Sequence, residues 1–280
     1  MGWFSRGVVV PVLRFSGAIG MAAPLRPGLS IASLGGAIDA AFSMSRGPSI
    51  AVVINSPGGS PVQSSLLFRR LRQLADEKGK KIYVFCEDVA ASGGYYLAVA
   101  GDEIYADASS IVGSIGVISA SFGLDRAIEK LGISRRVYTA GANKGALDPF
   151  QPENPEDIAR LMAIQRSVHD VFIGIVKDRR LGRLKGPDGE LFSGAFWSAP
   201  DALELGLIDG ISDVRTKMRE IHGESVRLRV VPVERSWLSG RFRKLPSVLG
   251  GFGGESQGLA LADDLVSAVE IRALWSRFGL

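Results

Sequence analysis

The sequence predicts an α/β fold built on a mostly parallel β-sheet with helices packed over it. Three observations carry this expectation. Short apolar runs alternate with segments of helical period along much of the chain. The runs at 49–54 and 81–86 are apolar almost throughout, as strands buried on both faces are. The 280 residues are 46% hydrophobic, enough to bury a full-sized core in one large or two modest domains.

Each element has its own signal. Residues 7–15 read as a strand, with β-branched residues and an edge-compatible Pro11. Residues 29–44 read as a helix of small residues. The strand at 49–54 stops at Asn55-Ser-Pro-Gly-Gly59. Residues 61–78 have a helical period, with Leu66, Leu67, Leu71 and Leu74 on one face and Arg69, Arg70 and Arg72 largely on the other. The strand at 81–86 follows, then Ala90-Ala-Ser-Gly-Gly-Tyr-Tyr96, small at its start and helical after it, up to residue 100. Strands are expected at 103–106 and 115–120, and a helix at 122–131. After Ala140 come a Gly/Pro-containing loop (141–154), a long amphipathic helix (155–180) and a short helix (199–205) that Gly206 ends in a C-cap position. A last strand is expected at 224–234, a flexible linker at 250–254 and a terminal amphipathic helix at 260–278. No internal repeat is present. The expected division is a main domain over 1–223 and a C-terminal extension over 224–280.

Composition narrows the chemistry. The formal net charge is +4, from 33 basic and 29 acidic residues, and the excess is spread out. No Lys/Arg block of the nucleic-acid-binding kind occurs, so nucleic acid is not an expected partner. Cys86 is the single cysteine, at the end of an apolar run, and reads as a buried structural thiol. No apolar stretch of about 18 residues and no signal-peptide pattern is present, so the chain is expected to be soluble or peripheral to a membrane, on the cytoplasmic side. Only two histidines occur, His169 and His222, which excludes a His-rich metal site. Each lies in a predicted helix away from a Gly-rich turn, so packing or surface roles are expected for both.

Two Gly-rich turns are candidate sites. Asn55-Ser-Pro-Gly-Gly-Ser60 joins a strand to a helix and lacks both the Walker lysine and GxGxxG spacing. It reads either as a cradle of backbone N–H groups for an oxyanion or as a tight turn. Ala90-Ala-Ser-Gly-Gly-Tyr95 puts Ser92 at a strand-to-helix junction among small residues. There it could be an exposed nucleophile or simply a helix N-cap. A nucleophilic serine needs a base. Without a suitably placed histidine, a lysine can serve if burial lowers its pKa from about 10.4 toward neutrality. Of the nine lysines, Lys144 stands apart in Ala140-Gly-Ala-Asn-Lys-Gly-Ala-Leu-Asp148, a small and mostly apolar loop.

Taken together, these motifs resemble the signal peptide peptidase A (SppA/SohB) family of serine–lysine peptidases. The resemblance runs in order over about residues 8–213. It includes the two turns above, Gly113-Ser-Ile-Gly-Val117, the stretch from Ser134 to Lys144, and Phe196-Trp-Ser-Ala-Pro-Asp-Ala-Leu-Glu-Leu-Gly-Leu-Ile-Asp209. Ser92 and Lys144 are 52 positions apart. The resemblance implies Ser92 as nucleophile, Lys144 as general base, Ser114 as a hydroxyl that orients the lysine amine, and the N–H groups of Gly59 and Gly93 as oxyanion donors. It implies a ClpP/crotonase-like fold of stacked ββα units with peripheral helices, and it requires no metal or other cofactor. With one Ser and one Lys motif, the chain is similar to half-length members. These assemble as rings in which the lysine reaches a neighbour's serine, so a homo-oligomer acting on peptide substrates is expected. Many members begin with a membrane anchor, and none is evident here.

Two rival readings stay open at this stage. One is a crotonase-type acyl-CoA enzyme, which would hold a thioester enolate in a similar Gly-rich hole. The other is a non-catalytic scaffold of the same family. The small residues around the turns suggest small or apolar side chains beside the cleaved bond. Beyond about residue 214 the chain matches nothing placed. Arg227, Arg229, Arg235, Arg241, Arg243 and Lys244, interleaved with Trp237, Leu238, Phe242 and Leu245, would suit either anionic lipid or oligomer packing. Residues 261–280 would either cap a neighbouring protomer or lie over the groove.

Overall fold

A computed structural model describes residues 7–21, 28–233, 268–269 and 271–280. The sheet is laid down by the most apolar runs. β1 (Val9–Ser16), β2 (Ser49–Ser56) and β3 (Lys81–Ala91) lie side by side, and β2, in the middle, is buried at all but one position. With β5 (Ile111–Gly113), β6 (Phe196–Ser198) and β8 (Arg227–Val230) the strand order is β6-β5-β3-β2-β1-β8, with β4 (Glu103–Ala106) also on β3 and β7 (Gly210–Ile211) on β4. Every pairing is parallel except that of β5 with β6.

Parallel neighbours need crossovers, and helices supply them. α1 (Ile31–Met44) joins β1 to β2 and starts in a capping box between Ser30 and Ser33. α2 (Pro61–Lys78) joins β2 to β3. Ser60 caps it, Pro61 opens it, and Gly79 ends it with φ 60°. Leu67, Leu71 and Leu74 of α2 are buried as the period predicts. Leu66, expected beside them, is exposed, because one residue is a 100° turn of the helix away from the buried stripe.

Alternate residues of the strands feed opposite faces. Leu13, Phe15, Ile50, Val52, Ile54 and Val84 join the large core under α1, α2, α3 (Gly93–Ala98) and α5 (Pro155–Arg179). Val10, Val12, Ala51, Val53, Tyr83 and Phe85 form a second layer with Met218 of α8 (Val214–His222). Cys86 is buried in the first core, and burial pushes its thiol up to about 12, so it is a packing residue.

The structure departs from expectation in places with identifiable causes. The strand expected to end at residue 86 runs on to Ala91, because polar Glu87 and Asp88 form a bulge rather than a stop. Between the pairs Ile54–Cys86 and Ser56–Ala90, β3 has two more residues than β2. The strand expected at 115–120 is absent. Its place in the sheet is taken upstream by β5, after which Gly113 (φ 111°) and Ser114 (φ 52°) turn the chain away. The helix expected at 122–131 contracts to α4 (Asp125–Lys130), and the final strand contracts to β8 (Arg227–Val230), which pairs with β1 at the sheet edge. α6 (Asp188–Leu191), β6 and β7 were not anticipated, whereas α7 (Ala199–Glu204) was.

The glycines at 250–254 and Arg235, Trp237, Leu238, Arg241, Phe242, Arg243, Lys244 and Leu245 lie outside the described residues. Of the expected terminal helix, residues 268–269 and 271–276 are helical among the described residues. Phe278 beyond them packs on Val89 and Ala91 and, ring against ring at 5.2 Å, on Phe196.

Candidate active site

Ser92 sits where β3 passes into α3, in a conformation that L-residues seldom adopt, φ 53° and ψ −122°. Such backbone costs about 1–3 kcal/mol and persists only where its surroundings over-determine it. Here they do. The Ser92 N–H donates to Gly113 O at 2.8 Å, and Ser92 O accepts from Tyr96 N at 2.9 Å. The Ser92 side chain makes no N-cap hydrogen bond, so its hydroxyl is not used to start the helix. Ser92 thus occupies the N-cap position of α3 without capping it through its side chain.

The two glycine turns pack against each other with no room for side chains. A Cβ on Gly58 would lie 2.8 Å from both Ser92 Cβ and Gly93 N. One on Gly93 would meet Ser64 Oγ at 2.5 Å, and one on Gly94 would meet Ser56 O at 2.5 Å. Gly59 (φ 140°) bridges Ile19, whose N–H donates to Gly58 O and whose carbonyl accepts from Ser60 N, both at 2.8 Å. That pairing leaves the Gly59 N–H on the other side. Among the described residues, neither Gly59 N–H nor Gly93 N–H finds a backbone acceptor. Two free donors beside a serine hydroxyl can hold an oxyanion.

Asn55 has a role the sequence did not reveal. Its Nδ2 donates to Asp88 Oδ2 at 2.5 Å and its Oδ1 accepts from Val89 N at 3.3 Å, which pins the β3 bulge just ahead of Ser92. α3 is held from behind by Tyr95, whose hydroxyl donates to Leu207 O at 2.7 Å. Arg180, almost wholly buried, secures that same turn through Gly206 O and Asp209. A pocket of about 240 Å³ opens beside Ser92, with Gly59 and Gly93 in its wall. Val62 and Leu66 of α2, Val117, and Val171 and Phe172 of α5 make it largely apolar.

Ser114 is buried, one residue beyond the carbonyl that holds Ser92, and its N–H donates to Ala195 O at 2.7 Å. The next carbonyl, Ile115 O, lies 3.0 Å from His169 Nε2. His222 Nε2 lies 2.9 Å from Ser49 Oγ, on the other side of the sheet. Neither histidine lines the Ser92 pocket.

Lys144 is not part of that pocket. It lies in an exposed turn, its N–H donating to Gly141 O at 3.1 Å, on an arm (118–153) that the rest of the chain hardly covers. The arm has internal ties. Arg135 pairs with Asp148 at 3.0 Å and lies 4.6 Å over the Phe150 ring, and Leu124 N donates to Pro149 O at 2.6 Å. It also exposes large apolar side chains, with Phe122 at 83% and Tyr138 at 90% of full exposure. Of the five residues singled out in the sequence, the structure thus gathers Ser92, Gly59 and Gly93, sets Ser114 behind them, and leaves Lys144 on the arm.

Comparison with known proteins agrees with this architecture. The profile of "Peptidase family S49" matches residues 75–226, more than half of the chain, including Ser92, Ser114 and Lys144. A protein of Arabidopsis thaliana described as "Serine protease SPPA, chloroplastic" is 30% identical over 234 residues, 79% of this chain and 33% of that protein. A Brucella abortus protein described as "Na(+)/H(+) antiporter NhaA" is 52% identical over 275 residues, 97% of this chain. The chain spans only 37% of that relative's length, and no helix among the described residues is long and apolar enough to cross a membrane, so the transporter name is not carried over. Among solved structures, the "1510-N membrane-bound stomatin-specific protease" superposes with a TM-score of 0.50 at 14% identity, over 81% of this chain and 99% of that one. That likeness supports the ClpP/crotonase-like α/β fold. The strand order, the serine turn and the profile match converge, and the chain belongs to peptidase family S49, the serine-type peptidases of the SppA kind.

Proposed function

We propose that this chain cleaves peptide bonds through an acyl-enzyme on Ser92, with Lys144 of a second copy as general base. The observation that carries the reading is the strained Ser92 turn, with its hydroxyl uncommitted to the helix and two N–H groups free beside it. An extended peptide lies along the Gly58–Gly59 turn. The Lys144 amine takes the proton of Ser92 Oγ as that oxygen attacks the carbonyl carbon. The oxyanion faces Gly59 N–H and Gly93 N–H, and the Ser114 hydroxyl orients the amine. Collapse expels the new amino terminus, which takes the proton from Lys144. Water, losing a proton to the same amine, then hydrolyses the ester and restores Ser92. The fitting substrates are flexible peptide segments, and signal-peptide remnants or membrane-associated proteins are the class that relatives suggest.

Two features favour a site shared between copies. Lys144 sits on an arm that its own chain leaves open, and the arm's apolar side chains form a surface that a partner would cover. The test is labelling by a fluorescent serine-hydrolase probe between pH 6 and 9. Wild type is expected to label, increasingly as pH rises, while Ser92→Ala and Lys144→Ala do not. Mixing the two variants should restore labelling, since each supplies what the other lacks. Full labelling of Lys144→Ala alone would refute the lysine's role, and peptide cleavage by Ser92→Ala at the wild-type rate would refute the nucleophile.

A further inference from the structure

We propose that His169 is a positioning residue for the reaction. From α5 its imidazole holds residues 113–117 in place, so that the Gly113 carbonyl keeps Ser92 in its strained turn and Ser114 stays behind the site. The inference rests on the reading of Ser92 as nucleophile and of Ser114 as the hydroxyl that orients the base, and goes beyond it to a residue outside the pocket.

The segment needs an anchor from another element. β5 ends at Gly113, and among the described residues no strand pairs with the chain directly beyond it. Gly113 (φ 111°) and Ser114 (φ 52°) then turn it away from the sheet. Ser114 and Ile115 are nonetheless buried. Buried carbonyls without a sheet partner must find a donor elsewhere. Three consecutive residues are tied in three directions. Gly113 O accepts from Ser92 N at 2.8 Å, Ser114 N donates to Ala195 O at 2.7 Å, and Ile115 O lies 3.0 Å from His169 Nε2. The first of these ties fixes the nucleophile's own backbone. The third comes from a side chain of α5. A carbonyl oxygen only accepts, so Nε2 carries the proton and donates.

The histidine does not line the pocket, so it acts on the reaction through the segment it holds. Its helix neighbours Val168, Val171 and Phe172 wall the pocket from α5, and Gly116 and Val117, just past the tied carbonyl, wall it from the segment. The His169 bond therefore joins two walls of the pocket. The fit continues at Gly116, where a Cβ would lie 3.0 Å from Gly194 Cα. Leucine at position 169 would keep apolar bulk there but leave Ile115 O without its donor.

The experiment uses the full chain and the rate of labelling by a fluorescent serine-hydrolase probe. His169→Leu, with no donor, and His169→Asn, whose amide falls short of the Nε2 position, should each label at least about tenfold more slowly than wild type, as small misplacements of a reacting group do. His169→Gln, whose amide N–H reaches about as far as imidazole Nε2, should stay within about threefold of wild type. A role in packing alone gives glutamine no advantage over leucine, so equal labelling of these two variants, fast or slow, overturns the proposal. In a Ser92→Ala background, hydrogen exchange at residues 113–117 should speed up with His169→Leu and not with His169→Gln. That comparison does not depend on Ser92 being the nucleophile, and unchanged exchange in both overturns the proposal. The unsubstituted chain supplies a check that needs no variant to fold: 15N NMR of labelled histidine should place the proton of neutral His169 on Nε2, and a proton on Nδ1 instead overturns the proposal. Peptide cleavage by Ser92→Ala at the wild-type rate would refute the nucleophile, and the exchange comparison would still decide whether His169 holds the segment.

Discussion

Around Ser92 the chain is packed so closely that a methyl group on Gly58, Gly59, Gly93 or Gly94 would collide with backbone or with a neighbouring hydroxyl. Around Lys144 the same chain leaves open space, and a methyl on Gly141 or Gly145 would meet nothing within 4 Å. One region is fixed by its own fold, with strained backbone locked by hydrogen bonds and glycines fitted to each other. The other is a tied but uncovered arm whose geometry relative to the serine this fold alone does not set. The difference teaches that the turn proposed to hold the nucleophile and its oxyanion donors is preorganised within one chain, whereas the lysine proposed as base lies where only a second copy could enclose it.

Identical substitutions in the two regions test this contrast most sharply. Gly59→Ala puts a Cβ 2.1 Å from Ile19 O at φ 140°, and should cost about 2–3 kcal/mol of stability as well as most of the activity. Gly145→Ala should stay within about 0.5 kcal/mol, since nothing surrounds it. Denaturant titration of the two variants gives the comparison directly, and equal effects would erase it. On the arm, Tyr138→Asp or Phe122→Asp should dissociate the proposed assembly and abolish probe labelling, with single-chain stability changed by less than about 0.5 kcal/mol. Sedimentation of these variants as intact oligomers would place the interface elsewhere.

A smaller effect isolates the strain itself. Ser92→Gly relieves a backbone that glycine adopts freely, and should raise stability by about 1 kcal/mol after the entropic cost of glycine, with the peptidase activity gone. Thermal denaturation of Ser92→Gly beside Ser92→Ala separates backbone strain from loss of the hydroxyl. An unchanged or lowered Tm would show the turn to be relaxed.

What was legible in the sequence follows the same division. The parallel sheet, α1, α2, α5 and the serine turn could be read because local signals and tertiary packing agree there: continuous apolar runs, a helical stripe, caps at Ser60 and Gly79. The β3 bulge was not legible, since Glu87 and Asp88 read as a strand end until the Asn55 side chain is seen to span them. The strand expected at 115–120 failed because Ile115, Val117 and Ile118 have strand composition, yet no neighbouring strand pairs with them beyond Gly113.

The smallest expected effect bears on how firmly the two faces of the sheet are joined. His222, at the end of α8, lies 2.9 Å from the buried Ser49 hydroxyl at the start of β2, and burial lowers its pKa below the usual histidine value. The folded state therefore favours neutral imidazole, and the unfolded chain, titrating near its ordinary pKa of about 6.5, takes up the proton first. Stability is full above that pH, falls as pH drops through it, and stops falling once the folded histidine is also protonated. Asp213, which caps the other end of α8, is lowered chiefly by the Thr216 hydroxyl, so its contribution is full above the ordinary carboxylate range and is lost as pH falls from that range through its lowered value. Between pH 7.5 and 5.5 the effect of His222 can thus be read apart from that of Asp213, and His222→Gln separates it from His169. Hydrogen exchange over that window should show protection falling in β1, β2 and α8, with amides of the open arm unchanged, and His222→Gln should flatten the response. If the arm loses protection in step with the sheet, the two regions are energetically one unit and the contrast drawn from their packing does not extend to their stability.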